Sequence, residues 1–289
     1  MAKLTKKRIL LGIYIAGLLA FFLYLGFPAD RIKTYAVNQL SGLSPLIDVT
    51  IERIAPALPH GIRLYNVDLY HQKQVWGRFE NIRIIPHLFS LFGSNKAFSF
   101  TANAYAGEIK GKAAIEKNSP VGRMAVDTTL AGLRVEDVEA IQAVSNYDIS
   151  GILDGTLAYQ ADARNQTLKG DLSLSDVRVD LTIPLFNQGY LEFNDVTAQL
   201  VLNNYDLTIE NCRLEGKQLD ATVTGSIRLN RDFSRGVLNL EANVAPHHVL
   251  LAAVKKSLPF VFIKSGKSDD NGIKVSIKGT TDAPKFSLK

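Results

Sequence analysis

The sequence predicts a mainly β protein in which an N-terminal transmembrane helix leads into one long antiparallel sheet with a few short helices. Three features carry that reading. Residues 9–27, ILLGIYIAGLLAFFLYLGF, contain no charged side chain. From Ile47 onward apolar residues recur at every second position for most of the chain, which is the period of strands with one buried and one wet face. Helical stretches between those strands are too few for parallel βαβ units, and this leaves antiparallel pairing.

A helix over residues 9–27, rising about 1.5 Å per residue, matches a ~30 Å hydrocarbon core. Its anchor residues are Ile9, Leu10, Leu11, Ile13, Leu18, Leu19, Phe21, Phe22, Leu23, Leu25 and Phe27. Gly12 and Gly17 are tolerated there because every backbone group in lipid must bond within its own segment. Lys3, Lys6, Lys7 and Arg8 crowd the N-terminal flank, so the positive-inside rule keeps Met1 in the cytoplasm and sends the remainder across. A cleaved signal peptide would want a shorter apolar core and a small residue at its exit, where Phe27 stands. A helix buried in a soluble core seldom carries four basic residues at one end. The expected division is a cytoplasmic tail at 1–8, the span at 9–28, a juxtamembrane helix at 29–42 and a β-domain at 43–289.

Composition narrows the function classes. Cys212 is the only cysteine, so no intramolecular disulfide exists and stability must come from packing and strand pairing. The net charge of +5 owes much to the N-terminal tail. No downstream block of Lys and Arg is interleaved with stacking aromatics, and nucleic acid is not an expected partner.

Along the chain, Ala29–Leu40 sets Ile32, Tyr35, Ala36 and Leu40 at helical spacing, with Asp30 in the first turn and Gly42 past the end. It reads as a rigid link; a lid on the membrane or a plug in the mouth of the domain is the alternative. Strands follow. Ile149, Gly151, Leu153, Gly155, Leu157, Tyr159 and Ala161 line one face, and so do Leu219, Ala221, Val223, Gly225, Ile227 and Leu229. Further alternating runs are Phe98–Ala106, Ile109–Ile115, Met124–Leu130, Leu238–Val244 and Ile273–Gly279.

A short pattern repeats within these strands: apolar, any, Asn or Asp, apolar, any, apolar. It occurs around Asn66, Asn81, Asp176, Asp195 and Asn211. Apolar positions at i, i+3 and i+5 slip the alternation by one residue, which would turn the second half of a strand inside out. One extra residue absorbed in a β-bulge restores the facing, and Asn and Asp tolerate the positive φ that some bulges need. A bulge or kink is therefore expected at each of the five; a turn between two short strands is the alternative. Arg134–Val144 and Pro246–Lys256 read as short helices over open ends of the sheet. Pro86–Phe92 is apolar enough to dip into a core or touch a membrane, and Lys264–Gly272 reads as a polar loop.

No catalytic constellation can be assembled, so the chain is read as a non-enzyme with no cofactor and no metal site. The five histidines (His60, His71, His87, His247, His248) are dispersed, and no HExxH, CxxC, GxxxxGK[ST] or GxSxG occurs. Asp269-Asp270 lacks the spacing of a calcium loop. Cys212 sits at an apolar position of the repeat and reads as a small core residue.

Two segments resemble known families. Ile54–Leu64 (IAPALPHGIRL), followed by Asn66-Val67, resembles the N-terminal signature of the type II secretion system protein N family, with His60 where that family has a second proline. Val275–Leu288 (VSIKGTTDAPKFSL) is similar to the closing strand pair of AsmA-like proteins. Pro56 and Pro59 remove two N–H donors, so pairing must stop there and resume after Gly61. The resemblance implies a curled sheet forming a half-open trough with an apolar lining, for which Phe98, Phe100, Ile149, Leu153, Leu157, Val223, Ile227 and Leu240 are the candidates. It further implies a single-pass protein of the bacterial inner membrane whose periplasmic β-domain serves as a scaffold or docking module for other secretion-system proteins. The alternative is an envelope protein that holds or conducts phospholipid in its groove. Outward-facing Arg63, Arg83, Arg178 and Arg213 read as a solvated strand face, or as the contact for an acidic partner.

Overall fold

A computed structural model describes residues 11, 12, 14, 15, 18, 26–41, 47–58, 60–71, 74–93, 95–116, 123–144, 147–162, 164–185, 188–230, 236–248, 272–281 and 283–288. Helix α1 (Ala29–Ser41) precedes strands β1 (Ile47–Ala57), β2 (Gly61–His71), β3 (Gln74–Pro86), β4 (Asn95–Ala104), β5 (Gly107–Glu116) and β6 (Arg123–Arg134). After α2 (Glu139–Val144) come β7 (Asp148–Ala161), β8 (Gln166–Leu185), β9 (Gln188–Asn203), β10 (Asp206–Gly216), β11 (Leu219–Leu229), β12 (Gly236–Pro246), β13 (Ile273–Thr280) and β14 (Ala283–Leu288). Single 3-10 turns cover Leu88–Phe92 and Val135–Asp137.

The strands form one 14-stranded antiparallel sheet whose spatial order is the chain order. Among the described residues β1 and β14 each have a single partner, so the sheet is open. Tight hairpins build this meander: Tyr105 and Ala106, at φ 55° and 61°, form a two-residue loop between β4 and β5, the left-handed pair that suits the twist of flanking strands. Pairing does not stop at Pro56 as expected, since Pro56 pairs Ile62 and Ala57 pairs Gly61; β1 is an edge strand, where a missing N–H is tolerated. Gly61 opens β2 so close to β3 that a Cβ would stand 2.5 Å from the Ile84 carbonyl. Pro59 lies outside the described residues.

All five repeat positions fall inside continuous strands, so none is a turn. What the slip does depends on the neighbouring strand. In β1, β2 and β3 the slip occurs side by side: Ile51 pairs Val67 and Val67 pairs Phe79, while Ile54 pairs Leu64 and Leu64 pairs Ile82. Two outward residues separate the inward ones in every case, so register runs on unbroken. The bulge expected at Asn81 is therefore absent: Asn81 pairs in register with Tyr65 and Asn103. Asn66 kinks without a bulge, at φ 47°, and its amide donates to the Glu52 carboxylate. Where a slipping strand meets one that does not slip, an extra residue must go somewhere. The β7–β8 ladder shifts between Ser150 and Ile152, opposite Asp176 at φ 51°. The β9–β10 ladder shifts beside Asp195, and both ladders of β10 shift at Glu210–Asn211. A further slip went unread: Leu130-Ala131-Gly132-Leu133-Arg134-Val135 has the same spacing with Gly132 in the Asn/Asp place. The β6–β7 ladder shifts there, Gly132 sits at φ 66°, and its N–H donates to Asp154 at 2.9 Å.

The main buried cluster lies under α1. Val49, Ile51, Ile54, Leu64 and Val67 are packed against Ile32, Ala36 and Val37 of the helix and against Phe27. Lys33 adds a bond from its Nζ to the Glu52 carbonyl at 2.9 Å. The helix thus caps the inner face of the first strands.

Candidate functional site

Cross-strand pairing assembles a continuous apolar face. Starting on β1, one row of directly paired residues runs Ile54, Leu64, Ile82, Ala102, Ile109, Leu130, Gly155 and Leu172. It continues through Ala198, Cys212, Val223, Ala242, Val275 and Leu288 to the far edge. No member is polar. The row two residues away crosses from Pro56 through Phe100, Leu157 and Leu200 to Leu240 and Phe286, and Thr128 is its only polar member. Between these rows, on the opposite face, Arg63, Arg83, Thr101, Lys110, Thr129, Thr156, Asp171 and Gln199 stand in line. Each strand separates its neighbours by about 4.8 Å, so the apolar band extends roughly 60 Å from first strand to last.

The eight candidate lining residues fall on this face. Phe100, Leu157 and Leu240 share one row, and Val223 lies in the next. Leu153 pairs Leu133 and Leu174 one row further, and Ile227 pairs Leu207 and Leu238 on the other side. Phe98 pairs Ala113 in the Ile227 row, while Ile149 pairs Val179 beyond the bulge. Leu240 is buried; the other seven are half-buried. Among the described residues no helix packs on β11 or β12, so the described neighbours of Val223 and Ile227 lie beside them in the sheet. Glycines seat the larger neighbours: the Phe100 ring occupies the space a Cβ on Gly111 would need.

Most of the anchor residues, Ile9, Leu10, Ile13, Leu19, Phe21, Phe22, Leu23 and Leu25, lie outside the described residues. Leu11 and Leu18 are helical and exposed. Phe27 packs against the cluster under α1. Among the described residues no helix is long and apolar enough to cross a membrane. Pro246 ends β12 and His248 is helical; residues 249–271, with the rest of the expected helix and the Lys264–Gly272 loop up to Asn271, lie outside the description. The turn at Leu88–Phe92 holds Phe89 and Phe92 outward, 96% and 93% exposed.

Several titratable groups fasten neighbouring segments. The Cys212 thiol is half-buried in the apolar row, and burial pushes its pKa up, which makes it unreactive. Tyr105 accepts a bond from the Arg78 N–H at 2.9 Å and donates to Glu139 of α2 at 3.1 Å. Burial, more than the nearby Glu139 charge, pushes its pKa up to about 12. His247 contacts Asp220 at 3.1 Å and the Lys217 carbonyl at 3.2 Å; the carboxylate bond holds its pKa above the usual value. The Gly216 N–H, and then His247, hold Asp220 below the usual carboxylate range. Among the described residues no group of three or more His, Cys, Asp or Glu is placed to hold a metal ion. The arrangement offers a long apolar wall backed by a hydrophilic one. No family model matches the chain, and neither a curated protein nor a solved structure matches it.

Proposed function

We propose that the protein holds phospholipid, with acyl chains lying on the apolar face of its sheet. The observation that carries this is the unbroken apolar row from Ile54 to Leu288, over which α1 lies only at the beginning among the described residues. An apolar surface of that extent left in water is unfavourable, at about 25 cal/mol per Å², and a flexible hydrocarbon chain is a partner that matches a long, narrow, featureless band. Residues 9–27 would tether the domain to the inner membrane, where lipid is at hand, with the sheet on the periplasmic side. Curling of the sheet into a trough would shield the bound chains; in this reading the molecule binds and does not catalyse.

The test is site-specific photo-crosslinking in the full chain expressed in its membrane. A benzophenone probe at Leu157 or Leu200 is expected to capture phospholipid, and one at Thr156, on the opposite face, is not. Absence of lipid at Leu157 and Leu200 overturns the reading. A second reading, a docking module for secretion-system proteins, is favoured by one feature: all six residues of β14 are exposed and its outer edge is unpaired among the described residues. Such an edge accepts an added strand from a partner. A probe at Lys285 that captures secretion components, with no lipid at Leu157, would select it.

A further inference from the structure

We propose that Arg63 and Arg83 form a binding site for a phosphate group on the polar face of the sheet, separate from the apolar wall. The two arginines are directly paired across β2 and β3, and like charges so placed repel. Three other strand arginines are neutralised by a neighbour: Arg178 by Asp180 at 2.8 Å, Arg213 by Glu215 at 2.9 Å and Arg228 by Asp206 at 2.7 Å. Among the described residues Arg63 and Arg83 have no such carboxylate. One Arg83 nitrogen donates to the Leu58 carbonyl at 2.7 Å, yet the Nε of both side chains is buried without a partner.

These groups line a cavity of about 440 Å³ together with Asn81, Thr101, Asn103 and Glu108. Pairing explains the convergence. Arg63, Arg83 and Thr101 stand side by side on three strands, and Asn81, Asn103 and Glu108 stand side by side two residues along. The single carboxylate of the set, Glu108, is engaged by Lys110 at 2.6 Å. Two guanidinium forks, two amides and a hydroxyl therefore face one space whose single carboxylate is already paired with Lys110. A phosphate dianion satisfies that inventory: its oxygens accept from both forks, which suit phosphate geometry, and its charge offsets theirs. The cavity is larger than inorganic phosphate, which leaves room for an organic substituent. The exposed Leu58, at the same end of the sheet, would suit a lipid headgroup as its source; free phosphate is the other.

The full chain in maltoside micelles, at constant ionic strength, is titrated calorimetrically with inorganic phosphate and, separately, with glycerol 3-phosphate. Saturable binding is expected, at least tenfold weaker in the R63Q/R83Q double variant. Phosphate is also expected to raise the thermal midpoint of the unaltered protein where chloride does not. If R63Q/R83Q fails to fold, R63K/R83K keeps the charge and loses the forks, and a weakening of at least threefold is expected. Equal affinity for both probes identifies free phosphate, and a tenfold preference for glycerol 3-phosphate identifies a headgroup; either supports the site. No saturable binding, binding unchanged in the variants, or binding of a Glu-rich peptide in place of both probes overturns it. Lipid capture at Leu157 is read separately, so the two proposals fail independently.

Discussion

Strands β1–β3 and β12–β14 carry the same alternating pattern and contribute to the same apolar rows, yet their inner faces meet different surroundings. Val67 on β2 is 3% exposed, whereas Phe286 on β14 is 68% exposed. The difference is α1. Ile32, Ala36 and Val37 close over the first strands and expel water from Val49, Ile51 and Leu64. No described element lies over the last strands. Alternation decides which side a residue faces; what packs over it and beside it decides how far facing inward amounts to burial.

The widest gap between the two ends should appear on truncation. Leu64→Ala is expected to lower unfolding stability by about 3 kcal/mol, and Leu288→Ala by less than about 0.5 kcal/mol, both read from urea midpoints of the full chain. Equal losses would mean that the far end is covered as well. Next come the slips. Gly225 sits at φ 132° on the apolar row, where a Cβ would collide with the Asn239 carbonyl, so Gly225→Ala should cost roughly 2–3 kcal/mol. Gly132 sits at φ 66° with open space around it, and Gly132→Ala should cost only about 1 kcal/mol of backbone strain. A reversed order in thermal unfolding would show that crowding is not what makes the row tight.

Smaller effects test the fastenings. Tyr105→Phe removes the bonds to Arg78 and Glu139 and should cost about 1 kcal/mol. Because the folded pKa of Tyr105 is raised from 10.0 to about 12, the unfolded chain ionises first. Stability should therefore fall as pH rises between those values, with a shallower fall in the Phe variant measured by denaturation at several pH values. The smallest change concerns His247, whose raised pKa means that its contribution is full below 6.5 and fades as pH rises through the folded value. Asp220, held low, contributes above 3.8 and loses its share as pH falls through its folded value. An NMR titration should place the His247 midpoint above 6.5, and Asp220→Asn should bring it back down; no change in Asp220→Asn would remove the pair from the account.

Much of the fold was legible because a strand writes its facing locally. Leu153, Leu157, Val223 and Ile227 were readable as one face since successive Cβ atoms alternate without reference to any partner. The slip at Asp176 was readable for the same reason. Its consequence was not: the identical pattern at Asn81 adds no bulge, because Asn66 and Glu52 slip beside it, and register is a property of two strands. Gly132 escaped because glycine replaces the Asn or Asp that marked the other slips, although Leu130, Leu133 and Val135 kept the spacing.

The cavity between Arg63 and Arg83 was equally out of reach. Sequence placed both arginines outward, but 20 positions apart in the chain; only the β2–β3 register sets them opposite one another and leaves them without the carboxylates that Arg178 and Arg213 find. By itself the sequence determined a period, a polarity for each face and the points where that period breaks, all of which follow from the geometry of a single extended backbone. The tertiary structure decided which breaks coincide, which inward face α1 covers and which charges go unanswered, because each of these depends on what a separate segment brings alongside.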